Sequence, residues 1–538
     1  MHHCFTKALA TMTAAAITLL PASPAFAHDG DGDGATPIRH VVVIFQENVS
    51  FDHYFGTYPK ALNPAGEPSF DAKRGTPAVN GLSYGLLTDN PNLNPANGTG
   101  ATNPFRLDRS QAVTRDQGHG YKAEQQAFDN GVMDLFPLFV GKPGPPPTGT
   151  GVSSTTGLNL AYFDGNTVTA LWNYAQHFAM SDNSYSTGFG PSTPGLLNLV
   201  AGQTNGATNI SAAAATFAVV DGGAGSFTVI NDPDPIGDVC AGSAVVGMKG
   251  QNVGDLLNAA GVSWGSFMGG FDLTVTNPNG TTGCKRSSAG LAGTTGDYIP
   301  HHAFFQYHAS TANLTHARPA SVAEIGHAGP ANHNYDINDF FAAVKAGNFP
   351  AVNFLKAPAY QDGHAGYSDP LDEQTFVVNV INFLQSRPEW GSTAVVIMYD
   401  DSDGWYDHQI GPILNQSHGT ADALSGPGLC GSAADSTALP GVDSTNAHAL
   451  GRCGLGPRQP LLVVSPWARK NFVDHSVTDQ SSVLRFIEDN FLGGERIGQG
   501  SFDAITNSIA QMFDFSREDD DQGKLILDPN TGEPIHQN

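Results

Sequence analysis

Five short apolar runs punctuate the chain, at residues 41–45, 262–268, 351–355, 394–398 and 461–464. Most are continuous rather than alternating, the pattern of strands in a parallel sheet covered on both faces. Helical patterns lie between some of them. Residues 338–346 carry Phe340, Phe341 and Val344 at helical spacing. Residues 372–385 carry Phe376, Val377, Val380, Ile381 and Leu384, and residues 481–491 carry Val483, Leu484, Phe486, Ile487 and Phe491. Each is an apolar stripe suited to packing on a sheet. The alternation predicts an α/β fold, with a mostly parallel central sheet flanked by helices.

Other stretches read as loops. Residues 140–157 are rich in Gly, Pro, Thr and Ser, and residues 415–456 in Gly, Ala and Ser. Residues 202–283 mix Asn, Gly and Thr with short β-like runs, which suggests a loop-rich inserted smaller lobe spanning about 202–300. The main α/β domain is expected over 39–516. Residues 517–538 are polar and read as a weakly held C-terminal tail.

Composition changes this picture at the N-terminus. Lys7 is followed by an apolar run over 8–20 and then by Ala25-Phe26-Ala27. This is the layout of a cleavable secretory signal peptide over 1–27, and the run is too short for a membrane span. Residues 28–38 would then be a flexible acidic leader. Cleavage removes Cys4 and leaves Cys240, Cys284, Cys430 and Cys453, an even count that suits two disulfides in an exported protein. Three pairings are possible; Cys240–Cys284 and Cys430–Cys453 each close a local loop. No second apolar stretch could span a membrane, so the mature chain is expected to be soluble, secreted or periplasmic.

Asp and Glu number 50 against 25 Lys and Arg, for a formal net charge of −25. That argues against nucleic acid as a partner, because a duplex backbone demands clustered cations. An anionic substrate would need a local site, such as a metal, to overcome such a field.

Two familiar patterns fail on context. Asp29-Gly30-Asp31-Gly32-Asp33-Gly34 copies the start of a calcium-binding EF-hand loop, but His40 stands where the last ligand, a Glu, is required. Gly81-Leu82-Ser83-Tyr84-Gly85 matches a nucleophile elbow, but no core strand precedes it.

The chemistry gathers elsewhere. The run at 41–45 leads into Gln46-Glu47-Asn48, and the run at 394–398 into Tyr399-Asp400-Asp401. In a parallel sheet both clusters emerge at the carboxyl edge, where open α/β sheets place their ligands. Glu47, Asn48, Asp400 and Asp401 offer oxygen donors for a hard divalent metal ion. The competing reading is a pair of solvated strand ends whose Asp residues cap helices. Gly190-Pro191-Ser192-Thr193-Pro194-Gly195 looks like a tight loop entering a helix. Ser192 there is either a nucleophile activated by a metal or, with Thr193, an ordinary helix cap. His119, His301, His302 and His364 sit in polar or Gly-rich settings, where imidazoles can bind phosphate oxygens or protonate a leaving alkoxide.

The segment from His40 to Gly56, with Gln46-Glu47-Asn48-Val49-Ser50-Phe51-Asp52-His53, resembles the opening motif of the bacterial phosphoesterase family. Three further blocks match in the family's order: Gly190-Pro191-Ser192-Thr193-Pro194, then His301-His302-Ala303-Phe304-Phe305-Gln306-Tyr307, then Tyr399-Asp400-Asp401-Ser402-Asp403-Gly404-Trp405-Tyr406-Asp407-His408. The family contains phospholipases C and a secreted acid phosphatase branch, and is related in fold to alkaline phosphatases. The resemblance implies one divalent metal ion held by Glu47, Asn48, Ser192, Asp400 and Asp401. It implies a phosphoseryl intermediate at Ser192, and a phosphate pocket lined by Asn48, His119, His301, His302 and His364. Phospholipases C of the family look as if they use Thr in place of Ser192 and Asp-Glu in place of Asp400-Asp401. Both differences pull toward the acid phosphatase branch, hence toward phosphate monoesters. A phospholipase C acting on phospholipid headgroups, and a secreted protein that binds phosphate or metal without turnover, are the alternatives. Asp403 stands where a Gly is common in the last block.

Overall fold

The structure, a computed structural model, describes residues 34–535 except 142–143, 145–146, 148, 150, 152–153, 224, 432–451 and 517–522. The signal-peptide expectation for 1–27, and most of the leader and of the EF-hand-like run, lie outside the described residues.

The apolar runs become the centre of one nine-stranded sheet. Its strands are β1 (His40–Gln46), β2 (Ala179–Tyr185), β3 (Trp264–Met268), β4 (Asn334–Asp336), β5 (Val352–Lys356), β6 (Thr393–Tyr399), β7 (Arg458–Val464), β8 (Phe472–Asp474) and β9 (Thr478–Asp479). The order is β4-β3-β5-β1-β6-β7-β2-β8, with β9 also pairing β2. From β4 to β6 every pairing is parallel. β7 runs antiparallel to both its neighbours, and β8 and β9 run parallel to β2. The sheet is therefore mixed but mostly parallel, and the fold is α/β as expected.

β2 has no apolar run to announce it. Its sequence is AMSDNSY, yet Ser181, Asp182 and Ser184 are buried. Asp182 is satisfied by accepting from the Asn80 backbone N–H at 2.7 Å and from His475 Nδ1 at 2.8 Å. Hydrogen bonding, not transfer from water, makes that strand tolerable in the interior.

Besides two short helices over Tyr84–Thr88 and Phe136–Phe139, the helices among the described residues are α1 (Phe51–Phe55), α2 (Tyr121–Phe128), α3 (Thr169–His177), α4 (Ser192–Ala201), α5 (Val253–Ala260), α6 (Ile337–Lys345), α7 (Pro370–Gln385) and α8 (Ser482–Phe491). Their starts follow capping chemistry. Asp336 and Asp339 form a capping box on α6, and Asp369 caps α7 with Pro370 in its first turn. Ser83 caps a short helix over Tyr84–Thr88, accepting from the Leu86 N–H at 3.3 Å, so it is no nucleophile elbow.

Three boundary expectations need correction. A single inserted lobe over 202–300 does not hold, because β3 pairs in register with β5 and β4 inside the main sheet. The stretch before it does form small outlying sheets, with their own core of Ala207, Ala218, Val229, Val246 and Met248. The tail is not loose over 523–535. Leu527 is fully buried, and Asn382 on α7 both accepts from its N–H and donates to its carbonyl. Nor is the leader flexible over 34–38: Ile38 is buried and the Thr36 N–H donates to Asn490 Oδ1 at 3.0 Å. The cysteines pair Cys240–Cys284 and Cys430–Cys453, as local loop closure suggested.

Candidate active site

β1 and β6 run in register, with Gln46 opposite Tyr399. Glu47 and Asn48 therefore leave the sheet beside Asp400 and Asp401. All four are buried, at 0–1% exposure, so they are not solvated strand ends. Asn48 takes a left-handed φ of 32°, which Asn tolerates better than most residues. Its backbone N–H donates to Asp400 Oδ1 at 3.3 Å. Its side-chain Oδ1 and Nδ2 have no hydrogen-bond partner, and neither does Asp400 Oδ2.

α4 delivers the hydroxyl. Its cap is Pro191, with no side-chain cap, so Ser192 is the first helical residue and not the cap that the simpler reading made it. Thr193 is not the cap either; its N–H donates to Asp232 Oδ1 at 2.8 Å. Ser192 Oγ is left to face Glu47 Oε2 at 3.1 Å and Asp401 Oδ2 at 3.3 Å. Glu124 on α2 fixes this loop to the Asp401 loop, accepting from the Gly190 N–H at 2.9 Å and from Ser402 Oγ at 2.8 Å. Burial pushes the Glu124 carboxyl up to about 7.

Crowded buried carboxylates resist ionisation. Burial, then Glu47, push Asp400 up to about 7; burial also holds Asp401 and Asp362 well above the usual carboxylate range. A bound cation would relieve that penalty. The donors present are hard oxygens, and two orphaned atoms, Asn48 Oδ1 and Asp400 Oδ2, lie among them. That set fits a divalent metal ion.

Above Ser192 opens a cavity of about 460 Å³, lined by His119, His301, His302, His364, Asp116, Asp232 and Tyr367 among others. All four sequence-predicted histidines thus meet over the hydroxyl. His119 Nδ1 lies 3.0 Å from Asp403 Oδ1. Burial alone would lower the His119 imidazole, but Asp401 and then Asp403 raise it well above its ordinary value. Burial likewise works against His301, while Asp234, 3.5 Å from its Nδ1, and Asp232 raise it. His302 goes the other way, lowered by burial and by Lys356. Burial also lowers His364, which stacks on Tyr367 at 4.3 Å.

Sequence reading missed several residues here. Lys356 ends β5, is 1% exposed, and hydrogen-bonds Glu47 Oε1. The signal was available, since an apolar strand ending in a charged residue had already marked Glu47 and Asp400. Asp362 is two residues before His364 and accepts from its N–H at 3.0 Å. Glu124 and Asp116 carry no pattern in the sequence.

Residues 38–492 match the model of the phosphoesterase family. The non-hemolytic phospholipase C of Pseudomonas aeruginosa is 25% identical over 502 residues, covering 93% of this chain and 60% of that protein. The hemolytic phospholipase C of the same organism is 23% identical, covering 90% and 57%. Phospholipase C A of Mycobacterium tuberculosis is 24% identical, covering 85% and 73%. The chain thus spans about 60% of the length of the Pseudomonas relatives. Among solved structures, an alkaline phosphatase superfamily protein from Vibrio parahaemolyticus aligns with 74% of this chain at a TM-score of 0.26 and 11% identity, a level that carries no argument.

Proposed function

The chain belongs to the phosphoesterase family, and from that premise we propose that it is a metal-dependent hydrolase of phosphate monoesters with Ser192 as nucleophile. The observation that carries the reading is the Ser192 hydroxyl, set between Glu47 and Asp401 at the floor of a cavity walled by four histidines.

Ser192 Oγ gives its proton to a neighbouring carboxylate and attacks phosphorus. The Oγ–P bond forms as the ester P–O bond breaks, and the departing alkoxide takes a proton from an imidazolium. His119 and His301 are the candidates, because neighbouring carboxylates raise both imidazoles and so favour the charged form. Water then attacks the phosphoserine, which releases phosphate and restores the hydroxyl. Asn48, His302 and His364 would bind the phosphoryl oxygens, the neutral imidazoles through N–H donors. Glu47, Asn48, Ser192, Asp400 and Asp401 would hold one divalent ion, whose charge favours the serine alkoxide and offsets that of the phosphoryl group. Ser192 and Asp401, at positions where the resemblance expects Thr and Glu in phospholipases C, favour the monoester.

The names of the relatives favour a second reading, hydrolysis of a phospholipid headgroup. Among the described residues no helix is long and apolar enough to cross a membrane. Two disulfides support export through the 1–27 signal peptide.

Initial rates on p-nitrophenyl phosphate and on phosphatidylcholine vesicles, with and without chelator, test these readings. Chelator-sensitive monoester turnover that Ser192→Ala abolishes is the expected result. Faster lipid cleavage would make the protein a phospholipase C, and no turnover with any divalent metal supplied would favour a binding protein.

A further inference from the structure

Lys356 is a cation already built into the cluster of carboxylates. Its ammonium hydrogen-bonds Glu47 Oε1 and lies 3.9 Å from Asp400 Oδ2. Its stem is fully enclosed, with Nζ 5.7 Å from the Phe45 ring centroid. His302 Nδ1 approaches the same Glu47 oxygen at 3.2 Å and Asp362 Oδ2 at 4.0 Å. Glu47, His302 and Asp362 offer ligand atoms all within 4.8 Å of one another, a spacing that suits three donors around one ion. Two carboxylates and an imidazole are a serviceable first shell for a transition metal. That set differs from the one assigned above to the catalytic ion: it draws on the other oxygen of Glu47, the one that Lys356 hydrogen-bonds and His302 approaches.

We propose that Lys356 is the resident second cation of this centre, filling the Glu47–His302–Asp362 ligand set and so restricting the protein to a single divalent ion. The inference rests on the metal-dependent reading above. Charge supports it independently of distance. Four buried carboxylates, Glu47, Asp362, Asp400 and Asp401, face one another with hardly any solvent. One divalent ion and one ammonium leave a single formal negative charge for the histidines to balance. Without the ammonium the deficit doubles, and a second divalent ion would meet it. Lys356 also ties up Glu47 Oε1, so that Glu47 offers Oε2 alone to the ion beside Ser192. Its role is thus to set the occupancy and denticity of the centre; it is a positioning residue and not a group that touches substrate.

Metal-stripped full-length protein would be titrated with Mn²⁺. Stoichiometry is read by elemental mass spectrometry and calorimetry, and nuclearity by electron paramagnetic resonance. The wild type should take one equivalent with the spectrum of an isolated ion. Lys356→Ala opens the ligand set, and should take a second equivalent and show an exchange-coupled pair. Lys356→Met fills the same space without charge. It should keep one equivalent and bind it about tenfold more tightly or better, because a like charge next to the ion is gone. If Lys356→Ala fails to fold, the affinity of Lys356→Met decides. Two equivalents in the wild type overturn the inference, as does a folded Lys356→Ala that stays at one. Unchanged affinity in Lys356→Met does so too. A wild type that binds no Mn²⁺ or Zn²⁺ sinks the metal-dependent reading along with it.

Discussion

Gly195, one turn into the helix that begins with Ser192, lies directly against the backbone of Asp400. A β-carbon on it would come within 2.3 Å of the Asp400 carbonyl oxygen. The helix of the proposed nucleophile and the strand end with the proposed ligands are thus brought together by a missing side chain. Gly195→Ala sets two effects against each other. Helix propensity favours Ala by about 1 kcal/mol. The clash is with backbone, which cannot swing aside, so the helix must move. Displacing a nucleophile by about 1 Å can cost about 10²-fold in rate. Gly195→Ala should therefore keep its far-UV circular dichroism and lose about that much kcat on p-nitrophenyl phosphate, with the loss in KM much smaller. A variant with wild-type kcat would show that the helix need not sit so close.

Much of this architecture was legible because burial and chemistry coincide in the sequence. The five apolar runs all lie in the central sheet, and two end in the carboxylates that face Ser192. The five residues Ser192, His119, His301, His302 and His364, far apart in sequence, line one cavity. What stayed hidden is what a local pattern cannot encode. β2 is polar and survives inside through specific partners such as His475 and Asn80. Glu124 is a lone acidic residue on a short helix, and only the fold shows that it bridges Gly190 and Ser402. Asp403, noted only as a departure from Gly, adopts a φ of 50° and pairs with His119. The tail is polar, which by itself suggests a loose segment. Its anchors are one buried Leu and backbone hydrogen bonds to side-chain amides, which composition does not report.

Arg458 offers a test of how the motif-bearing segments are held. It is fully buried, with Nε 3.1 Å from each carboxylate oxygen of Asp407 and its second terminal nitrogen 3.1 Å from Asp52 Oδ1. Asp52 lies in α1, just after β1, and Asp407 lies in the loop after β6, so one guanidinium clamps the two segments that carry the proposed ligands. Arg458→Met leaves Asp407 buried without its guanidinium partner and Asp52 with His408 alone, whose Nδ1 lies 2.6 Å from Asp52 Oδ2. A loss of roughly 3–5 kcal/mol in urea unfolding is expected, the usual cost of breaking a buried pair from one side. A loss under about 1 kcal/mol would mean that the acids protonate or reach water at little cost.

The two disulfides should respond differently to reductant. Cys430 and Cys453 are fully buried, whereas Cys284 is exposed and Cys240 half-buried. Thiolate attack requires access. Limited treatment with dithiothreitol, followed by alkylation and peptide mass spectrometry, should label Cys240 and Cys284 first. Replacing Cys430 and Cys453 together by Ala removes a cross-link over 23 residues of sequence, and should cost about 2–4 kcal/mol. Labelling in the opposite order would show that the segment around Cys430 opens more readily than its packing implies.

Glu373, which hydrogen-bonds the side chain of Tyr399 next to Asp400, makes stability depend on pH. Its two oxygens accept from Tyr54 at 2.9 Å and Tyr399 at 2.6 Å, and the residue is 1% exposed. Burial pushes its carboxyl up to about 8, with a further rise from Asp369, against the pull of the two hydroxyls. In the unfolded chain a Glu ionises near pH 4.3. Between about pH 4.3 and 8 the native state therefore holds a proton that the unfolded state has released. The native state binds more protons over that window, so stability falls as pH rises through it, and this group adds no slope below or above. Glu373→Gln keeps the shape and cannot ionise. Its amide can accept from one tyrosine hydroxyl and donate to the other, much as the neutral acid does. The variant should match the wild type near pH 4 and gain on it steadily to pH 8, by roughly 4–5 kcal/mol. Urea midpoints across that range read the difference directly. Parallel curves would mean that Glu373 is already ionised in the native protein at neutral pH, with the two tyrosine hydroxyls outweighing its burial.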